Sequence, residues 1–172
     1  MGWLAHLFIG KETLEECGFV DVTVQGQGEE TFKEIINSFE GEQNLEEVKG
    51  ICYRSGSKVI KNPPRAMVNM DDLPAVNYQL ISMPAYFEKK GRKQLDYISS
   101  TGCYFRCSFC ADPFVFQRKF SAISPQRMIK EISELYQKHQ FTDINFQDET
   151  FFTYPKRVKE IAQGFIENDI KV

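Results

Sequence analysis

Cys103, Cys107 and Cys110 fall within eight residues, in the run Ser100-Thr-Gly-Cys-Tyr-Phe-Arg-Cys-Ser-Phe-Cys110. Thiolate is a preferred ligand of both iron–sulfur clusters and structural zinc. Structural zinc takes four ligands, commonly as two separated pairs. Here three thiols share one stretch, while Cys17 and Cys52 lie far back and His139 ends a helix expected to point away. The order of gaps, three then two, also differs from the bacterial ferredoxin run. The spacing therefore favours a cluster gripped by three thiolates with one iron left without a protein ligand. Zinc, or no metal, is the alternative. An iron of that kind can bind a small molecule, which a fully ligated cluster cannot.

Composition sets the frame for that chemistry. The chain has 172 residues, enough for one domain or pieces of two, and 42% hydrophobic with 26% charged residues is ordinary for a globular protein. A formal charge of −3 gives no global pull toward nucleic acid or an anionic membrane. No apolar stretch approaches the roughly 20 residues that cross a bilayer. The apolar start, Met1 to Gly10, lacks the basic region and cleavage site of a secretory signal. An odd count of five cysteines argues against a disulfide framework, so a reducing, cytoplasmic compartment is expected.

The elements that must position the cysteines form an α/β pattern. Val20–Val24 reads as a strand, and Gln25-Gly-Gln-Gly-Glu29 as a turn. A helix is predicted over Glu29–Phe39 from the helical spacing of Phe32, Ile35, Ile36 and Phe39, with Glu29 and Glu30 in its first turn and Gly41 as its stop. Ile51–Arg54 and Lys58–Lys61 flank Ser55-Gly-Ser57 as a hairpin closed off by Pro63 and Pro64. Asp71–Pro74 and Met83-Pro84 read as loops, and Lys89–Lys93 as a solvated basic turn. From Leu95 the chain alternates: a strand over Leu95–Ser99, the cysteine loop, a helix capped by Ser124 and opened by Pro125 that reaches about Lys138, a strand over Asp143–Gln147, a helix from Pro155, and a third strand at Ile170–Val172. Repeated βα units place functional loops at the C-terminal ends of their strands. The cysteine loop and Gln147-Asp-Glu149 occupy two successive ends and should face each other. Cys17 and Cys52 are expected to be buried thiols, and Trp3, Phe114 and Phe116 to pack, or to line a pocket. His6 and His139 read as surface or packing residues.

The cysteine spacing at a strand end, with an aromatic residue before the last cysteine, resembles the signature of the radical S-adenosylmethionine (SAM) superfamily. The resemblance implies that Cys103, Cys107 and Cys110 bind a 4Fe–4S cluster whose fourth iron takes the amino and carboxylate groups of SAM. It implies a place near the adenine for Phe109. Many members carry Gly-Gly-Glu at the next strand end; this chain has Gln147-Asp148-Glu149, so Asp148 or Glu149 is the candidate for the SAM amino group. Gly26-x-Gly28 before an amphipathic helix, Gly50–Arg54, Asp72–Pro74 and Asp148–Phe151 resemble the cobalamin-binding branch of that superfamily.

That branch implies the end of a Rossmann-like cobalamin-binding domain over residues 1–41, a hairpin connector over 42–94, and the start of a radical SAM (βα) barrel over 95–172. It implies reductive cleavage of SAM to a 5′-deoxyadenosyl radical, in cobalamin-dependent methyl transfer or ring remodelling of a small molecule. A one-electron reductant of the flavodoxin or ferredoxin type would serve it, with neither nucleic acid nor a membrane as partner. One strand and one helix of a cobalamin domain, and two to three strands of a barrel of about six units, read as a fragment of a longer enzyme, not by itself competent for turnover. The alternatives are a radical SAM methylthiotransferase acting on RNA, whose extra cluster cysteines residues 1–94 lack, and a non-catalytic metal-stabilised or electron-transfer module.

Overall fold

The structure is a computed structural model and describes residues 10–172. Trp3, His6 and most of the apolar start lie outside the described residues. The chain divides into two compact units: one holds the residues through Val68 together with Tyr104–Lys119, the other Asn69–Cys103 and Phe120–Val172. The architecture is mixed α/β, as expected.

In the first unit, β1 (Val22–Val24), β2 (Ile51–Ser55) and β3 (Lys58–Lys61) form an antiparallel sheet with β2 in the centre. Val24 faces Ile51 and Cys52 faces Lys61, and Gly56 turns the hairpin at a φ of +58° that a side chain would resist. Helix α1 (Gly10–Glu16) was not foreseen, because Leu14 is its one large apolar residue. Its end is held by Arg54, whose guanidinium donates to the carbonyls of Leu14, Cys17 and Val20. Cys52 is fully buried and Cys17 half-buried.

Helix α2 covers Glu29–Phe39, the predicted span. Its rotation differs from what the apolar stripe suggests. Thr31 and Ile35 face the core of Val48, Ile51 and Tyr53, whereas Phe32, Ile36 and Phe39 are exposed. Polar contacts fix that rotation: Arg65 Nε donates to Thr31 Oγ1 at 2.7 Å, its Nη2 pairs with Glu34, and Thr31 Oγ1 donates to the Lys49 carbonyl at 3.4 Å. A short helix, α4 (Asp112–Val115), completes this unit.

The second unit contains a parallel pair, β4 (Gln94–Tyr97) with β7 (Asp143–Phe146), and an antiparallel ribbon, β5 (Ser100–Gly102) with β6 (Phe120–Ala122). Helices α5 (Pro125–His139) and α6 (Pro155–Glu167) pack together closely, with Ile129 where a Cβ on Gly164 would stand. Leu95, Tyr97, Met128, Ile132, Phe141 and Ile161 form the core.

Four expectations are corrected here. Met83–Lys90 is a helix, α3, not a loop: the Ser82 hydroxyl accepts from Ala85 N, Pro84 sits in the first turn, and Gly91 closes the end in the left-handed region. Ser124 precedes α5 but its hydroxyl makes no cap bond; its N–H and Oγ donate to Asp71 Oδ1 at 2.8 and 3.3 Å. The strand read as Leu95–Ser99 is split into β4 and the ribbon strand β5. Ile170–Val172 joins no ladder: Ile170 N–H donates back to the Phe165 carbonyl, closing α6, and its side chain is buried in the core. Among the described residues no helix is long and apolar enough to cross a membrane.

Candidate functional site

The foot of the cysteine loop is held by a dense set of hydrogen bonds. Ser99 and Ser100 are fully buried where the chain passes from β4 into β5. Just past the end of β7, Asp148 accepts from Ser99 N at 2.7 Å through Oδ1 and from Ser99 Oγ at 2.7 Å through Oδ2. Ser100 Oγ donates to the same Oδ2 at 2.5 Å. Glu149 Oε2 accepts from Gly102 N at 3.1 Å, the residue directly before Cys103. Gly102 has φ +83°, so the chain leaves the ribbon through a conformation that favours glycine. The two strand ends expected to face each other are thus joined by hydrogen bonds. They also separate the two carboxylates: both oxygens of Asp148 serve hydroxyls and an amide of the foot, while Glu149 is exposed and bonds the amide beside the first cysteine.

All five cysteines are free thiols; Cys103 and Cys110 are half-buried and Cys107 is exposed. Cys103 ends a segment of the second unit, and Cys107 and Cys110 fall in the first. The Cys110 amide donates to the Cys107 carbonyl at 3.1 Å in a tight turn. Arg118 Nε donates to the Tyr104 carbonyl at 3.2 Å, and Gln117 and Arg118 take successive positive φ values of 54° and 57°. That pairing of left-handed residues is costly for side chains other than glycine. Phe109 is almost fully exposed, as are large parts of Phe105 and Phe114. Among the described residues no three His, Cys, Asp or Glu side chains stand close enough to hold a metal ion. By chemical type the loop's donors, three unpaired thiols, fit an iron–sulfur cluster.

A second polar cluster lies on β4 and β7. Asp96 accepts from Lys90 Nζ at 2.6 Å, from Asn145 Nδ2 at 2.7 Å, from Gln147 Nε2 at 3.2 Å and from Tyr86 Oη. Burial pushes its carboxyl up, but the bonds from Lys90, Tyr86 and Asn145 outweigh it and hold it well below the usual range. On the opposite face Tyr97 Oη donates to Glu131 at 2.6 Å, and burial together with that carboxylate raises the phenol. Asp96, Asn145 and Gln147 thus give one face of a parallel pair a polar row, where parallel strands covered on both sides are apolar. Of the basic stretch Lys89, Arg92 and Lys93 are exposed as expected, but Lys89 and Lys90 form the last turn of α3 and Lys90, half-buried, pairs with Asp96. His139 is half-buried at the end of α5, and burial lowers its imidazole.

Two residues at the foot were not found from the sequence. Ser99 belongs to a Ser-Ser-Thr run that could have been flagged, since three hydroxyls seldom end a buried strand without a partner. Arg157 carried no signal, because its partner Ser99 is 58 positions away.

No family model matches the chain. It is 33% identical over 163 residues, 94% of its length, to an uncharacterized methyltransferase of Pyrococcus horikoshii, and covers 35% of that protein. It is 26% identical over 143 residues to an anaerobic magnesium-protoporphyrin IX monomethyl ester cyclase of Cereibacter sphaeroides, covering 81% of the chain and 23% of the cyclase. The chain therefore spans about a quarter to a third of the curated relatives it matches. Its fold matches OxsB, a cobalamin-dependent SAM radical enzyme solved with aqua-cobalamin and SAM, at a TM-score of 0.74 and 24% identity, covering 96% of this chain and 24% of that one. It also matches the radical SAM methyltransferase TsrM of Kitasatospora setae at a TM-score of 0.73 and 14% identity, covering 95% and 32%. In sequence, over nearly its full length, the chain thus resembles a methyltransferase and a ring cyclase, and in fold it matches radical S-adenosylmethionine enzymes, one of them cobalamin-dependent.

Proposed function

We propose that this chain is part of a radical SAM enzyme that acts with cobalamin on a small molecule, by methyl transfer or ring remodelling. The observation that carries the reading is the C-x3-C-x2-C loop, rooted at a strand end whose neighbouring strand end supplies Asp148 and Glu149 to its foot. Cys103, Cys107 and Cys110 would hold a 4Fe–4S cluster. That cluster, when bound, supplies one electron to cleave SAM to methionine and a 5′-deoxyadenosyl radical, the electron coming from a flavodoxin- or ferredoxin-type donor.

The residues divide the remaining work. Glu149, exposed beside Gly102, would face the SAM ammonium, a favourable charge-assisted contact. Asp148 holds the foot from which the loop departs. Phe109 offers an exposed ring for the adenine. Cobalamin would be held chiefly by parts of a Rossmann-like domain beyond residues 1–41, with 42–94 as connector and 95–172 as the first part of the barrel. Five free cysteines suit a reducing cytoplasm.

Anaerobic reconstitution with iron and sulfide tests the reading. A 4Fe–4S absorbance and an electron paramagnetic resonance (EPR) signal that shifts on adding SAM are expected. Cys107→Ala should abolish the SAM-responsive cluster; a variant that keeps it refutes the assignment. An RNA-modifying enzyme is not favoured, since residues 1–94 lack the further cluster cysteines such an enzyme would need.

A further inference from the structure

Arg157, in the first turn of α6, reaches across the foot of the cysteine loop. Its Nε donates to the Ile123 carbonyl at 3.1 Å, just after β6, and its Nη2 to the Ser99 carbonyl at 3.1 Å, just before β5. One guanidinium thus ties the strand that enters the loop to the strand that leaves it. The Ile123 amide closes the same gap by donating to the Ser99 carbonyl at 3.0 Å.

The same Nη2 also donates to Ser99 Oγ at 3.0 Å. A hydroxyl has one proton to give, and that of Ser99 goes to Asp148 at 2.7 Å. The arrangement is a cation and a carboxylate joined through a polarised hydroxyl, all at the place where residues 99–102 lead to Cys103. The guanidinium lies 5.7 Å from the Phe151 ring centre, and its Nη1 is buried without a hydrogen-bond partner. Burying an arginine with one nitrogen unsatisfied costs stability that an apolar side chain of similar size would not. A residue kept for packing alone would not need the charge.

We infer that Arg157 is a positioning residue: acting through Ser99 on Asp148, it fixes the spacing and direction of the two feet of the cysteine loop. This rests on the proposed radical SAM reading for its consequence, but not for its geometry. The group Arg157 orients is the Ser99–Asp148 pair, and Asp148 in turn precedes Glu149, which bonds the amide before Cys103. Loss of an outer partner that orients ligand-bearing groups typically lowers affinity or activity by about 10- to 100-fold.

Two measurements on the 172-residue chain test it, with Arg157→Met, Arg157→Lys and Ser99→Ala compared with the parent. The first is amide hydrogen exchange of the metal-free chain. Arg157→Met and Ser99→Ala should speed exchange of the amides at positions 99 and 102 by about tenfold or more while Leu95 and Ile132 stay protected, and Arg157→Lys should restore part of the protection. The second follows reconstitution: the variants should keep a cluster but show an altered EPR line shape and an affinity for SAM about tenfold weaker.

Uniform loss of protection across the unit would mean a plain stability role and would overturn the inference, as would Met and parent chains with equal exchange at the foot. Should Arg157→Met not fold, Ser99→Ala, which removes one hydroxyl, decides the matter by the same two readings. A parent chain that forms no SAM-responsive cluster sinks the proposed function while the exchange result still rules on Arg157. A parent that forms one beside an Arg157→Met variant with identical EPR and SAM affinity sinks only this inference.

Discussion

The two units solve the same problem with unequal means. In the second, α5 and α6 lay Met128, Ile132 and Ile161 onto Leu95 and Tyr97, and the core reaches from Met70 to Ile170. In the first, α2 meets a three-stranded sheet through Ile35 and Thr31, over a core of Ile35, Val48, Ile51 and Tyr53. Both helices α2 and α5 are strongly amphipathic in sequence. Only in α5 does the apolar stripe coincide with the buried face. The difference lies in what sets each helix's rotation: apolar packing for α5, the Arg65–Thr31–Glu34 contacts for α2.

The sharpest way to break that contrast is in the larger core. Ile132→Ala should destabilise the second unit by about 2–5 kcal/mol, the usual range for emptying a fully buried site, read by urea unfolding. A loss under about 1 kcal/mol would mean that this core is looser than its burial implies. Next in size is a pair on α2. Ile35→Ala should cost about 2 kcal/mol or more, whereas Ile36→Ala, one residue on and exposed, should change unfolding by about 0.5 kcal/mol or less. Equal effects would show that the stripe, not the polar clamp, governs the helix.

A pH series separates the units by charge rather than packing. Asp96 has a folded-state pKa depressed below its unfolded value, so its contribution is complete above the usual carboxylate pKa near 4 and disappears as pH falls through and below it. The stability of the second unit should fall from pH 5 to pH 3, and Asp96→Asn should flatten that fall. An unchanged pH slope would remove Asp96 from the account. The smallest effect is expected at Gln140, which ends α5 at φ +50°. Gln140→Gly should stabilise by about 0.5–1 kcal/mol, seen as a small rise in Tm, by relieving a left-handed side chain.

How far the sequence could be read follows the same division. The span of α2 was legible to the residue from its spacing, but its rotation was not, since Arg65 lies 31 positions beyond Glu34. Helix α3 was hidden because Met83-Pro84 reads as a break and the helix, eight residues long, is too short for a helical repeat to register. The ribbon strands are three residues each, too short for alternation to register. The cysteines and the two carboxylates were legible from type and spacing alone. The bonds that tell Asp148 from Glu149 were not, because they run to Ser99, Ser100 and Gly102 more than 45 positions away.

The ribbon that pairs Gly102 with Phe120 has an evolutionary corollary. Chain that departs and returns at neighbouring points can grow or shrink with only a logarithmic change in closure entropy, about 0.6 kcal/mol per doubling. Beyond Cys110 the stretch it brackets can therefore be rewritten in length and composition while β4, β7 and their helices keep their register. Lineages that share the scaffold could diversify what this excursion handles by editing it alone, as one changes a tool without changing the grip.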